Sequence, residues 1–297
     1  MESILKDILE RRAAIVRAIR RFFDDQGFIE VETAVRIDAP APEEHIDCPP
    51  VVGGGYLRAS PELQMKKLLA AGMDKIYQIG PCFREGERGS RHNPEFTMLE
   101  WYRREADYLD IKRDLERLLE GLVVVDSRSG RAERENFSTT TTSHYNLLRV
   151  RDAYCEHAGW DPWEKWDQDR FDFDMATKIE PAIKELGGGV FLMDYPPQAA
   201  SLAKLRGDVA ERWEFYWDGM ELANCFTELC DKDEQLRRFE AAKESRKLLK
   251  ESDYPIDSGF IDALPLIVDA AGIAMGIDRF VMLLTKTKEI SAVRAYI

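Results

Sequence analysis

The run Cys82-Phe83-Arg84-Glu85-Gly86-Glu87-Arg88-Gly89-Ser90-Arg91-His92-Asn93-Pro94-Glu95-Phe96-Thr97-Met98-Leu99-Glu100-Trp101-Tyr102 restricts the fold of this chain more than any other stretch. It reads as a strand, a charged turn and a second strand. Alternate residues of a strand share a face. Phe96, Met98, Glu100 and Tyr102 therefore point one way, and Glu95, Thr97, Leu99 and Trp101 the other. A carboxylate and a hydroxyl thus share one patch. A second block, Gly272-Ile273-Ala274-Met275-Gly276-Ile277-Asp278-Arg279-Phe280, reads as a glycine-relieved strand entering a helix that opens with Asp-Arg. Arg84 and Arg279 lie on these two rigid blocks. A guanidinium fork donates paired hydrogen bonds to phosphate or carboxylate oxygens. A lone arginine is ordinarily a surface ion-pair residue, so the weight falls on the blocks around the two.

The rest of the chain supports a mixed α and β architecture. Ile4, Ile8, Ile15, Ile19, Phe22 and Phe23 recur at helical spacing, and Gly27 ends the run. Phe28–Thr33 then alternates as a strand. In Ser60–Gly72, Ser60 suits a cap, Pro61 the first helical position and Gly72 the stop. A helix is expected from Asp107 to Leu122, and a surface connection over Val123–Ser143. Trp160, Trp163 and Trp166 suggest an aromatic cluster packing a loop, since no basic stripe accompanies them. Gly187-Gly188-Gly189 precedes the strand Val190–Tyr195, without the Lys-Ser/Thr that a phosphate loop needs. In the strand Arg212–Trp217 the alternation groups Glu214 with Tyr216. An Asp218-Gly219 turn leads to Glu221-Leu222-Ala223-Asn224-Cys225-Phe226-Thr227-Glu228. Asp231–Lys250 reads as a charged helix with a solvated face.

At 297 residues and 44% hydrophobic content the chain can bury a sizeable core. No apolar run has membrane-spanning length and no signal-peptide pattern opens the chain, so a cytoplasmic enzyme without membrane contact is expected. Five cysteines form no CxxC pair, which suggests reduced thiols. The histidines His45, His92, His144 and His157 lack metal-ligand spacing, and no zinc site is expected. Lys and Arg number 42 against 55 Asp and Glu, a net charge of −13. That opposes broad attraction to nucleic acid and suits a cationic substrate or a basic protein partner.

The two blocks resemble motifs 2 and 3 of the class II aminoacyl-tRNA synthetases, and within them the lysyl branch. The run His92–Tyr102 is most similar to the elongation factor P lysine ligases, shortened paralogues of lysyl-tRNA synthetase that attach a lysine-type amino acid to a protein. The resemblance extends from about Arg11 to the C-terminus and is weakest through roughly 122–191. It implies an α+β fold, a class II catalytic domain with an antiparallel sheet flanked by helices. One domain over 1–297 is expected, with no anticodon-binding domain. The helix and strand ending at Thr33 resemble motif 1, the dimer interface of the class, so a homodimer is expected.

The resemblance also assigns roles. Arg84 would contact the α-phosphate and the substrate carboxylate, and Arg279 would lie along the nucleotide with Gly276 giving clearance; these two are the catalytic candidates. Glu85, Gly86, His92, Asn93, Phe96, Glu221 and Leu222 would complete the ATP site. Glu214 and Glu221 would hold magnesium. Ser60, Pro61 and Glu62 would meet the amino group nearer the carboxylate. Glu100, Tyr102, Asn224 and Glu228 would surround the distal ammonium. A buried ammonium is costly unless paired, and a site built of anions rejects neutral side chains. One departure stands out. Motif 2 usually reads Phe-Arg-x-Glu, and Gly86 holds the Glu position here.

These assignments imply ATP-dependent formation of a lysyl or (R)-β-lysyl adenylate. Transfer to a lysine of elongation factor P would follow, with no tRNA charged. Two alternatives remain: a tRNA-charging or free amino-acid-activating relative, and a non-catalytic paralogue acting as a binding module. Retention of Arg84, Glu221, Glu228 and Arg279 opposes the last.

Overall fold

The computed structural model describes residues 2–125, 132–134, 145–249 and 251–295. Most of the connection expected over 123–143, and His144, lie outside them. The architecture is α+β, built on one nine-stranded sheet. Its strands are β1 (Ile29–Glu30), β2 (Lys75–Phe83), β3 (Glu95–Arg104), β4 (Asn146–Arg149), β5 (Gly189–Tyr195), β6 (Leu205–Arg206), β7 (Val209–Trp217), β8 (Met220–Thr227) and β9 (Ala270–Gly276). The order is β1-β2-β3-β9-β8-β7-β5-β4, with β6 beside β7. The central pairs are antiparallel, as expected. The edge pairs β1–β2 and β4–β5 are parallel, so the sheet is mixed rather than purely antiparallel.

Helix α1 (Glu2–Asp25) carries Ile15, Ile19 and Phe23 on one face, all fully buried. Phe23 stacks on Tyr77 of β2 at 4.6 Å and meets Trp101 of β3 at 5.1 Å. Aromatic pairs of this kind add about 0.5–1.5 kcal/mol each beyond area burial. The apolar face expected to form a dimer interface is thus consumed within the chain itself. Gly27, at φ 74°, ends the helix and turns the backbone into β1. The expected strand 28–33 is ordered as a ladder only at Ile29–Glu30. Beyond it the Thr33 amide donates to the Gln78 side chain, and the carbonyls of Thr33 and Ala34 accept from Arg58. These side-chain bonds replace the ladder.

Helix α3 (Tyr108–Gly121) starts at a capping box in which Asp107 and Asp110 satisfy each other's backbone amides. Its Ile111, Leu115, Leu118 and Leu119 join Leu99 and Trp101 of β3 in the main core. Helices α1 and α3 therefore cover one face of the sheet. The other face of β3 is free to present Glu100 and Tyr102. Helix α2 (Glu62–Ala70) follows Ser60, whose hydroxyl accepts the Glu62 amide at 2.9 Å.

Two regions depart from, or fill in, the sequence reading. Helix α4 (Lys232–Leu249) is not merely a solvated face. Its Arg246 is 1% exposed, stacks over Tyr254, and donates to Asp47 and to the carbonyls of Glu43 and Ile46. It thereby pins the loop that edges the cavity described below. Trp160, Trp163 and Trp166 pack beside Tyr154 and Phe171 in a separate cluster under 150–183, as the aromatic pattern suggested.

Candidate functional site

The exposed faces of β3, β7, β8 and β9, closed by the turn after β2, enclose a cavity of about 370 Å³. Helix α5 (Ile277–Thr285) begins at its rim. The cavity gathers most of the sequence-predicted residues: Arg84, His92, Asn93, Phe96, Glu221, Leu222, Gly276 and Arg279 toward one end, and Ser60, Glu62, Glu100, Tyr102 and Asn224 toward the other. Glu214 lies between them. Four of the expected residues do not line it: Pro61, Glu85, Gly86 and Glu228. Pro61 faces away at the start of α2. Glu85 is spent on the turn, its amide donating to Asp47, and Gly86 supplies that turn's positive φ of 79°. Glu87, the residue after Gly86, lines the cavity and pairs with Arg84 at 3.5 Å.

At the first end the Arg84 guanidinium lies 5.2 Å above the Phe96 ring. Arg279 is held by the Glu221 carbonyl at 2.9 Å, by its carboxylate at 3.3 Å, and by His92 at 2.5 Å. Burial and the facing guanidinium of Arg279 push the His92 imidazole below its usual range, so neutral His92 accepts from Arg279. The Asn93 side chain is 9% exposed, and its amide nitrogen has no hydrogen-bond partner. Buried donors are normally satisfied, and this one belongs to a residue lining the cavity. Gly276 is less tight than expected: a Cβ there would meet only Arg279, at 3.9 Å.

Between the ends, Glu214 accepts from Arg212 at 2.6 Å and from the Tyr216 hydroxyl at 2.7 Å. Burial, then the neighbouring Glu214, pushes the Glu221 carboxyl up. The 40% exposure of the Glu221 side chain is therefore exposure to the cavity rather than to open solvent. Two neighbouring carboxylates facing one cavity fit a cation. Among the described residues no group of three or more His, Cys, Asp and Glu is placed to hold a metal. Magnesium commonly takes only one or two carboxylates and fills its shell with water and phosphate oxygens, which this pair suits.

At the second end Glu62, Glu100 and Tyr102 are buried. Ser60 donates to Glu100 at 2.6 Å, and the Tyr102 hydroxyl donates to its other oxygen at 2.9 Å. Burial, with the Glu62 charge adding, pushes the Glu100 carboxyl up to about 7. Glu228 lies behind this wall, 2% exposed, and does not itself line the cavity. Gly272 of β9 makes room for both: a Cβ there would fall 2.1 Å from the Tyr102 ring and 2.9 Å from Glu228.

Three charged residues escaped the sequence reading. Lys66 pairs with both Glu62 and Glu228. The Glu62–Lys66 spacing of four on a marked helix was the available signal. Arg212 shares a strand face with Glu214 and Tyr216 by the same alternation that grouped those two. Glu43, raised by burial and then by Glu62, sits on an irregular loop with no periodic signal.

A mixed sheet with an antiparallel centre carries paired glutamates on its open face, with Arg84 of a turn and Arg279 of a helix start at its rim. The chain belongs to the class II tRNA synthetases (D, K and N), which it matches over residues 1–297. Within that class it is 38% identical to the elongation factor P–(R)-β-lysine ligase of Yersinia enterocolitica, over 97% of this chain and 94% of that protein. The ligases of the same name from Sodalis glossinidius and Yersinia pestis are 38% and 37% identical over the same shares.

Proposed function

We propose that this protein is an ATP-dependent ligase that activates lysine or (R)-β-lysine as an adenylate and transfers it to a lysine side chain of elongation factor P. The observation that carries the reading is the cavity itself, with two arginines at one end and buried carboxylates at the other. The length and diammonium charge of a lysine-type amino acid match that polarity. The near end-to-end similarity to ligases of that name supports the acceptor.

In this reading the substrate carboxylate oxygen attacks the α-phosphorus of ATP. The bond to the β-phosphate oxygen breaks, and pyrophosphate leaves. Arg84 holds the substrate carboxylate and the α-phosphate together, and Arg279 neutralises charge along the polyphosphate. Asn93, His92 and Phe96 hold the adenine side. Magnesium on Glu214 and Glu221 would neutralise phosphate charge. Glu62 takes the amino group nearer the carboxylate, while Glu100, Tyr102 and Asn224 take the distal one, with Glu228 acting from behind the wall. The acceptor amine then attacks the adenylate carbonyl, AMP leaves and an amide forms with loss of a proton. A second cavity of about 630 Å³ adjoins the first at Arg212, Glu214 and Glu221, and carries Glu43, Glu180 and Glu234 on its walls. Its acidity suits the approach of an acceptor lysine.

Among the described residues no helix is long and apolar enough to cross a membrane. A cytoplasmic site of action, where translation factors work, fits this reading. The net charge of −13 favours a basic protein segment over tRNA. ATP–pyrophosphate exchange with lysine and with (R)-β-lysine tests the activation step. Exchange dependent on either is expected; none with either rules the reading out.

A further inference from the structure

The amine end of the cavity contains a cation that belongs to the protein. The Lys66 side chain is 1% exposed. Its ammonium pairs with Glu62 at 2.5 Å and with Glu228 on the opposite side. Lys66 does not line the cavity, but its partner Glu62 does. Burial alone would lower its pKa, yet the carboxylates of Glu228 and Glu62 outweigh burial and raise it, so Lys66 stays an ammonium.

Charge can be counted over the groups in contact. Glu62 and Lys66 come from α2, Glu100 and Tyr102 from β3, and Glu228 from the end of β8. With all three carboxylates ionised, the form a cationic ligand selects, and one ammonium, the set carries two negative charges. Two further charges stand outside this contact set and oppose one another. Arg58 spends its donors on the oxygens of Thr33, Ala34 and Pro81, and Glu43 acts on Glu62 from the loop. A lysine-type amino acid brings two ammonium groups, and its carboxylate lies at the arginine end.

We infer that Lys66 is a positioning residue, a resident counter-ion that sets this end of the site to two negative charges and so matches it to diammonium amino acids. The inference rests on the activation reading above. Without Lys66, Glu62 and Glu228 would face each other as buried carboxylates with no cation between them. The set would then hold a proton more firmly in the empty site and would have to lose it when substrate binds. Glu100 and Glu228 are already pushed up by burial and by neighbouring carboxylates, and loss of the Lys66 ammonium pushes them further.

The test is the KM for lysine and (R)-β-lysine in ATP–pyrophosphate exchange, from pH 6.5 to 8.5. Lys66→Met should raise that KM at least tenfold at pH 7 and leave the ATP KM within about twofold. Its amino-acid KM should also fall more steeply with rising pH than that of the wild type. Lys66→Met/Glu228→Gln restores two negative charges and should recover the wild-type pH profile and part of the lost KM, while Glu228→Gln alone, left with one charge, should not. The double variant removes both members of the ion pair and so leaves no uncompensated buried charge. It carries the test even where Lys66→Met fails to fold. Two results overturn the inference: a Lys66→Met KM that is unchanged or raised equally at every pH, or a double variant no better than Glu228→Gln. If the wild type itself shows no exchange with either amino acid, the activation reading fails instead.

Discussion

The two ends of the cavity are built on opposite plans. At the nucleotide end, Arg84 and Arg279 are 28% and 22% exposed. One leaves a turn, the other a helix start. At the amine end, Lys66 and Glu228 are 1% exposed and Glu100 is equally buried. Every charge there is fixed by strands, by α2 or by another charge. In the proposed reaction a polyphosphate would enter and leave as pyrophosphate, which suits binders that stay partly solvated. A small amino acid must be told from its neighbours by charge, and buried charge discriminates because a wrong ligand leaves it unpaired. The difference predicts that amine-end changes act on the amino-acid KM, and nucleotide-end changes on turnover.

The largest effect is expected from Glu228→Gln. Removing one partner of a buried charge pair costs roughly 3–5 kcal/mol, so the amino-acid KM should rise about 10²-fold or more with the ATP KM nearly constant. Exchange assays with each substrate varied in turn measure this, and equal rises in both constants would erase the distinction between the ends. Arg84→Ala should act in the other column, lowering kcat for adenylate formation about 10²-fold. Arg84→Lys should recover only part, since a point charge lacks the fork; full recovery would show that the planar geometry is unused.

Two glycines of one strand sharpen the contrast. Gly272→Ala must displace the Tyr102 ring, so the amino-acid KM should rise about tenfold and stability should fall by roughly 1–3 kcal/mol, read by melting. Gly276→Ala would make only an ordinary contact with Arg279 at 3.9 Å and should spare both. Smaller still is the pH effect. Glu100 is pushed up to about 7, and a cation binds its ionised form. The amino-acid KM should therefore fall several-fold as pH rises from 6 to 8, while the ATP KM should not follow. Least affected by either end is assembly. A homodimer remains expected from the class, formed without the α1 core face. Ile29 on edge strand β1, 56% exposed, is one residue left to serve it. Light scattering at micromolar concentration should give twice the chain mass, and a monomer would remove that expectation.

The sheet was readable because its central strands alternate cleanly. Leu99 and Trp101 go to the core while Glu100 and Tyr102 go to the cavity, which parity alone dictates. Helix α1 was readable from its apolar spacing and the Gly27 stop, and α2 from Ser60, Pro61 and Gly72. The parallel edges were not, because Ile29–Glu30 is too short to carry a pairing signal. Lys66 was passed over for a related reason. Helical spacing shows that Glu62 and Lys66 are neighbours, but only the third partner, Glu228 from a distant strand, turns a routine surface pair into a buried triad. Arg246 hid likewise in a helix whose composition reads as solvated. Its ion-pair partner Asp47 comes from a loop far away in sequence, and Tyr254 from the segment that follows the helix.

Incubation of the enzyme with ATP, (R)-β-lysine and purified elongation factor P, followed by intact-mass spectrometry, joins both ends of the cavity to the acceptor. The mass of the factor should rise by one β-lysyl residue, with bulk tRNA in a parallel reaction left essentially uncharged on acid gels. An unmodified factor beside efficiently charged tRNA would contradict the account.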